Sequence, residues 1–399
     1  MKKIMLILIC IFCFLTSVYA EELKEEKNEI TQNNSSKNST TDLTPNAKSA
    51  IMIEASTGEI IYEKNSNEEL PMASMTKMMT MLLIMENIDN GSLSLEEKVT
   101  ASEYASSMGG SQIFLEPGET MTVDELLKGI AIGSGNDASV AMAERIGGTE
   151  ENFVKLMNDR AKELGLTNTH FDNACGLDSD THYSSAHDMA IIAKELVKHE
   201  KILEYTGTYE DYLRQETDNS FWLVNTNKLV RYYKGVDGLK TGYTSDAGYC
   251  ITTTAKKDGM RLITVVMGEP SSTVRNSETT TLLDYGFNLY TLNNLISTDT
   301  VVDTVPVELG EIEQVNIVPI TDINVLSLKS ETVDKVTYDY KINNIKAPVK
   351  VGEVIGTVDI INNGKVVNTV ELTVEEDISK VNLLIEIIRN LKDVISGTL

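Results

Sequence analysis

The stretch Pro71–Met85, PMASMTKMMTMLLIM, leaves little choice about where it can sit. As a helix it is apolar on nearly every face, and such a helix runs through a protein's interior rather than along its surface. Its one charge is Lys77, three residues after Ser74, a spacing that puts both side chains on one helical face about a turn apart. An ammonium buried there is costly, and burial depresses a lysine pKa. A serine beside a neutral amine is an activated nucleophile. Alone, the pattern S-x-x-K also fits a helix cap at Ser74 with Lys77 snorkelling outward. The rest of the chain has to decide.

Ahead of this stretch, residues 1–20 (MKKIMLILICIFCFLTSVYA) carry Lys2 and Lys3, an apolar run from Ile4 to Leu15, and Val18-Tyr19-Ala20 as a cleavage site. This is the pattern of a secretory signal peptide, with a run short for a membrane span and a charged EELKEEK after it. Cys10 and Cys13 leave with the signal. The two remaining cysteines, Cys175 and Cys250, cannot build a disulfide framework, and whether they pair is open. Removing the signal takes away two lysines and no acids, so the net charge moves from -25 to -27. Such acidity argues against nucleic acid as a partner and against adhesion to anionic surfaces by bulk charge, so an anionic substrate needs a locally basic pocket. Residues 21–46, rich in Asn, Ser, Thr, Glu and Lys, read as a disordered spacer.

Ser49–Glu54 and Gly58–Tyr62 are β-like runs joined by a turn, ahead of the Ser74 helix. Val123–Ile132 and Ala138–Ile146 have helical spacing and are interrupted by Gly133-Ser134-Gly135-Asn136-Asp137. A hydroxyl and a carboxamide flanking a glycine, Ser134 and Asn136, can project side by side from such a turn, one relaying protons and the other holding an amide. A plain helix break with Asn136 or Asp137 as the next N-cap is the structural alternative. Phe153–Leu164 and Met189–Val197 are further helices. Between them His182 and His187 lie in a polar loop without ligand-spaced Cys or carboxylates, so a hydrogen-bonding role is expected and no metal or other cofactor. Finally, Gly235–Cys250 (GVDGLKTGYTSDAGYC) centres on Lys240-Thr241-Gly242 and is followed by β-like Tyr249–Ala255 and Arg261–Met267. An edge strand here would offer a cation at Lys240, a hydroxyl at Thr241, and at Gly242 room for a ligand against the backbone. The alternative is an ordinary glycine turn.

S-x-x-K, S-G-N and K-T-G thus occur in order at domain-scale separations, the trio of penicillin-binding proteins and class A β-lactamases, with S-D-N varied to S-G-N. The chain resembles the low-molecular-weight penicillin-binding proteins, specifically the serine D-Ala-D-Ala carboxypeptidases of the peptidase S11 family, from about Asn46 to the C-terminus. The likeness includes PMASMTKMMT, IGSGNDAS, TNTHFDNACGL with HYSSAHDMA after it, and GVDGLKTGYTSDAGYC. It implies that Ser74 attacks the carbonyl between two terminal D-alanines of a peptidoglycan stem, with Lys77 accepting its proton and Ser134 passing a proton to the leaving D-alanine. Asn136 would hold the peptide amide, and the backbone N–H groups of Ser74 and Tyr243 would hold the oxyanion. Lys240 beside Lys77 would help keep it neutral. Arg275, in MGEPSSTVRNSE, lies where family members carry an arginine for the substrate's free carboxylate. β-Lactam antibiotics are the expected inhibitors. Cys175 and Cys250 depart from the usual pattern without removing a catalytic group.

From about Asp299 the pattern turns to β-like runs, with Asn363-Gly364 a hairpin signal, as in the C-terminal module of these enzymes. Ile378–Ile395 is amphipathic, too short and charged to span a bilayer but suited to lie in its interface. The expected organisation is therefore a signal peptide (1–20), a spacer (21–46), a carboxypeptidase domain (47–293), a β-rich domain (299–376) and a membrane-anchoring helix (378–396). The fold expected for the first domain is mixed α/β, an antiparallel sheet from the Ile51, Ile60, Cys250 and Val265 regions covered by helices. Such a protein would be exported and peripheral on the outer face of the cytoplasmic membrane. The rival functions are a β-lactamase of the same fold and a non-catalytic wall-binding scaffold. Residues 165–193 contain no glutamate of the kind class A β-lactamases use to position water.

Overall fold

Ser49–Glu54 is buried along its whole length because it is an inner strand, paired antiparallel with Ile60–Lys64 on one side and Met260–Glu269 on the other. Gly248–Lys257 and then Val236–Thr244 complete a five-stranded antiparallel sheet, so the K-T-G strand stands at its edge. The computed structural model describes residues 42–382 except 332, 334, 335 and 363, together with Ile385 and Ile387. The chain divides into two units, Met1–Pro45 and Asn46–Leu399. The signal peptide and residues 21–41 of the spacer lie outside the described residues. In the first unit Thr44 N donates to Asp42 Oδ1 at 3.1 Å. The ordered fold of the second begins at Asn46, whose N–H and side chain both donate to Glu278, so the spacer ends one residue earlier than expected.

The Pro71–Met85 stretch becomes a 3-10 turn, Ala73–Thr76, running into the helix Lys77–Asp89. Every side chain from Lys77 to Met85 is buried, as an all-round apolar helix requires. Fully buried Met78, Met79, Met81, Leu82 and Ile84 each contribute about 2 kcal/mol of apolar burial. Around it pack Val123–Ala131, started by a Thr122/Glu125 capping box, Asn136–Gly147, Glu150–Glu163, and Ala186–Leu196, capped by Ser185.

Several elements were not foreseen, and two of these structures bear on the site. One is the hairpin Glu210–Leu213 with Phe221–Val224; the other is the 18-residue helix Ser272–Leu289, capped by Ser271 and packed on the Met260–Glu269 strand. The strand Tyr290–Ile296, paired with Ile323–Leu328, runs across residue 293, where the first domain was expected to end. Beyond it a six-stranded sheet is ordered Val336–Ile342, Gly356–Asn362, Lys365–Val374, Gln314–Pro319, Asp303–Glu308, Ile345–Lys346. Asn363 of the expected turn lies outside the described residues, while Asn362 and Lys365 pair across it.

The amphipathic segment needs correction at its start. Ile378 and Val381 are buried, and Ile378 belongs to the β-domain's core and bridges Val349. Extended backbone at 378–381 therefore completes the domain instead of opening a helix. The remainder, apart from Asn382, Ile385 and Ile387, lies outside the described residues. No helix among the described residues is long and apolar enough to cross a membrane.

Candidate active site

The 3-10 turn carrying Ser74 is wedged between two glycines. A Cβ on Gly176 would stand 2.1 Å from Ala73 O, and one on Gly242 would stand 2.6 Å from Met72 O. Ala73 between them is held at φ +49°, a left-handed conformation that costs a non-glycine residue roughly 1 kcal/mol. The nucleophile's backbone is thus clamped between the 173–177 loop and the edge strand. At Gly242 the missing side chain admits the Ser74 turn.

Thr76 fastens the same turn. Its hydroxyl donates to Ala73 O at 2.8 Å and lies 2.7 Å from His182 Nε2. Because Asp172 N–H donates to His182 Nδ1 at 2.9 Å, Nδ1 is an acceptor and Nε2 must carry the proton that Thr76 receives. Burial pushes the His182 pKa down to about 4, so the ring is neutral at physiological pH. His182 thus has a hydrogen-bonding role.

Lys77 is fully buried, with Nζ 3.0 Å from Ser74 Oγ, 2.7 Å from Asn136 Oδ1 and 2.6 Å from the carbonyl of Cys175. As an ammonium it donates to all three oxygens. As an amine its two N–H bonds satisfy the two carbonyls, and its lone pair is left facing the Ser74 hydroxyl. Burial lowers its pKa to about 8, against the pull of the Cys175 and Asp137 sites. The neutral form is therefore accessible near physiological pH without help from a second cation.

Ser134 is buried in the turn between Val123–Ala131 and Asn136–Gly147 at φ +62°, a strained conformation held by its surroundings. Gly135 N–H donates to Gly129 O, Asn136 N–H to Ser111 O, and Ser139 Oγ to Gly135 O. Asn136 is already spoken for at both ends of its carboxamide: Oδ1 accepts from Lys77 and Nδ2 donates to Gly109 O at 2.7 Å. Next to it, the buried Asp137 carboxylate accepts from Ile113 and Leu115 N–H and fixes the loop over the site.

On the edge strand, Lys240 is buried with Nζ 3.0 Å from Thr241 O, and Thr241 Oγ1 donates to Thr226 Oγ1 at 2.8 Å. Desolvation, then the charges of Lys77 and Arg275, hold Lys240 well below the ordinary lysine range. Its coupling to Lys77 is repulsion between two buried amines. Tyr243 is exposed and stacks on Tyr249 with ring centroids 4.3 Å apart. Arg275, buried on the Ser272–Leu289 helix, donates to Asn276 Oδ1 and to Cys250 O. Burial lowers its pKa to about 10, so it remains a cation at neutral pH. Cys175 and Cys250 are separate buried thiols, which answers the pairing left open by the sequence.

The chain has counterparts among known proteins. A family described as D-alanyl-D-alanine carboxypeptidase matches residues 34–271, and the penicillin-binding protein 5 C-terminal domain matches residues 290–380. The carboxypeptidase DacF of Bacillus subtilis is 51% identical over 355 residues, 89% of this chain and 91% of that protein. DacA of Escherichia coli K12 is 33% identical over 355 residues, 87% of each chain. Among solved structures, penicillin-binding protein 5 from Haemophilus influenzae is similar with a TM-score of 0.68 at 31% identity, covering 84% of this chain and 98% of that one. Penicillin-binding protein D2 from Listeria monocytogenes, in an ampicillin-bound form, is similar with a TM-score of 0.55 at 33% identity, covering 61% of this chain and 98% of that one. The chain belongs to the peptidase S11 family of D-alanyl-D-alanine carboxypeptidases, and it is a serine enzyme of that activity.

Proposed function

We propose that the protein releases the terminal D-alanine from peptidoglycan stem peptides ending in D-Ala-D-Ala through an acyl-enzyme on Ser74. The observation that carries this reading is the Lys77 amine, buried and 3.0 Å from Ser74 Oγ with its other two contacts on carbonyls. Ser74 Oγ bonds to the carbonyl carbon of the penultimate D-alanine as its proton moves to Lys77 Nζ. The oxyanion is held by the N–H groups of Ser74 and Tyr243. When the C–N bond breaks, Ser134 relays a proton to the amine of the departing D-alanine, and water later hydrolyses the ester. Asn136 orients Lys77 and the peptide amide. Lys240 and Thr241 line the carboxylate end beside Gly242, and Arg275 receives the terminal carboxylate, its planar fork matching two oxygens.

β-Lactams enter by the same attack and stay bound, since no glutamate in 165–193 is available to activate the hydrolytic water. The enzyme works outside the cytoplasmic membrane, exported by residues 1–20 and held at the surface by the amphipathic residues beyond Asn382. Ile385 and Ile387 of that segment are exposed. Incubation with a stem peptide ending in D-Ala-D-Ala tests the reaction. Wild type should release D-alanine, and Ser74→Ala should lower kcat by at least about 10³-fold. No release by wild type, as from a scaffold, or unchanged release by the variant would refute the assignment.

A further inference from the structure

Two buried glutamates near Arg275, Glu269 and Glu278, are not accounted for by the chemistry above. Glu269 ends the strand Met260–Glu269, while Arg275 and Glu278 lie three apart on one face of the Ser272–Leu289 helix. They are 1%, 5% and 6% exposed, respectively. Glu278 is well served: its oxygens accept from Asn46 N–H at 3.0 Å, Asn46 Nδ2 at 2.6 Å and Ala47 N–H at 3.3 Å. Glu269 is not, for neither of its oxygens meets a donor among the described residues. What it faces is the Glu278 carboxyl, itself an acceptor, so a bond between the two exists only if one of them carries a proton. Arg275 gives its N–H groups to Asn276 and Cys250 O and to neither glutamate.

Resting on the assignment of Arg275 to the substrate's carboxylate, we propose that Glu269 and Glu278 share one proton, and that this proton leaves Arg275 free for substrate. With the proton in place the acid pair carries a single negative charge, drawn toward the Asn46 and Ala47 donors. Without it, two carboxylates are buried together and Glu269 becomes an internal competitor, a carboxylate beside the guanidinium that should bind the substrate's own. Glu269 is thus a positioning residue acting through Arg275. The groups facing it are Glu278 and Arg275 from the helix, Lys64 from Ile60–Lys64, and Cys250 and its register neighbour Tyr249 from the adjacent strand. Desolvation first, then the bond and charge of Glu278, push the Glu269 pKa up to about 8, with Lys64 and Arg275 opposing. The proton is held below that pH and lost above it.

The test measures kcat/KM from pH 6 to 10 for a stem peptide ending in D-Ala-D-Ala and for its C-terminal amide. Taking their ratio cancels the titration of Lys77, which acts on both. In wild type the ratio should fall about tenfold per pH unit above roughly pH 8. In Glu269→Gln, whose neutral amide keeps a donor toward Glu278, it should keep its pH 7 value up to about pH 9, below the pKa of about 10 at which Arg275 itself titrates. Arg275→Ala at pH 7 isolates the underlying assignment: selective loss on the free acid upholds it, and equal loss on both peptides removes it whatever the pH profile. With that assignment upheld, a pH-independent ratio in wild type, or the same fall in Glu269→Gln, overturns the shared proton. Should Glu269→Gln fail to fold, the infrared difference spectrum of wild type decides, since a protonated-carboxyl band must bleach between pH 7 and 9, and its absence is equally fatal.

Discussion

Lys77 shows how far residue types alone could be pushed. Its burial, its face shared with Ser74 and its lowered pKa all follow from one lysine in an apolar helix. The oxygens that leave its lone pair for Ser74 do not. One is the backbone carbonyl of Cys175, which any residue could supply, and the other is Asn136 Oδ1, which sequence assigned to substrate alone. His182 on Thr76 was missed as part of the nucleophile's support because the two are 106 residues apart. The protonation of Lys77 gives a prediction with a definite sign. Its pKa is lowered, so the amine forms as pH rises through about 8. Acylation by an amidated peptide should therefore rise about tenfold per unit below that pH and level off above it, in stopped-flow or product-release assays. A rate that falls over this range would mean that the ammonium is the active form.

Among the elements, those with strong period or punctuation were legible: the strand Ser49–Glu54, the all-apolar helix, and the helix on either side of Ser134. The Ser272–Leu289 helix escaped because its first half is mostly Ser, Thr and Asn, weak helix formers, and most of its apolar residues gather in its second half. It is held by its Ser271 cap and by packing on the Met260–Glu269 strand, while the Thr279, Thr280 and Thr281 hydroxyls turn back to carbonyls four residues earlier. Packing decided what propensity could not. Likewise, the glycines that clamp the Ser74 turn carry no pattern that says what they touch. Two alanine substitutions separate strain from contact. Gly148 (φ +77°) has nothing within 4 Å of a Cβ, so Gly148→Ala should cost only about 1 kcal/mol and leave penicillin labelling intact. Gly176→Ala (φ +90°) drives a Cβ into Ala73 O, and should cost roughly 3 kcal/mol or more and abolish labelling. Thermal melts with fluorescent penicillin labelling read both, and equal effects of the two changes would show that the Ser74 turn is not clamped there.

For the whole molecule, the order of catalytic domain and β-domain was readable because each has its own composition and period. The junctions were not: an apolar stripe looks the same whether it will meet lipid or a protein core, and Ile378 and Val381 turned out to serve the core. That sets where an anchor can be removed. A chain ending at Asn382 should label with penicillin and leave the membrane fraction, whereas one ending at Glu376 should melt lower, having lost two buried side chains worth about 2 kcal/mol each. A chain ending at Asn382 that still sediments with membranes would contradict the anchor. The central claim concerns covalent chemistry at one serine, and mass spectrometry of the intact, penicillin-treated protein tests it most directly. The prediction is one penicilloyl group per chain, mapped by proteolysis to Ser74, persisting after free drug is removed and absent from Ser74→Ala. No adduct, an adduct on another residue, or rapid catalytic loss of penicillin without a lasting adduct would contradict it.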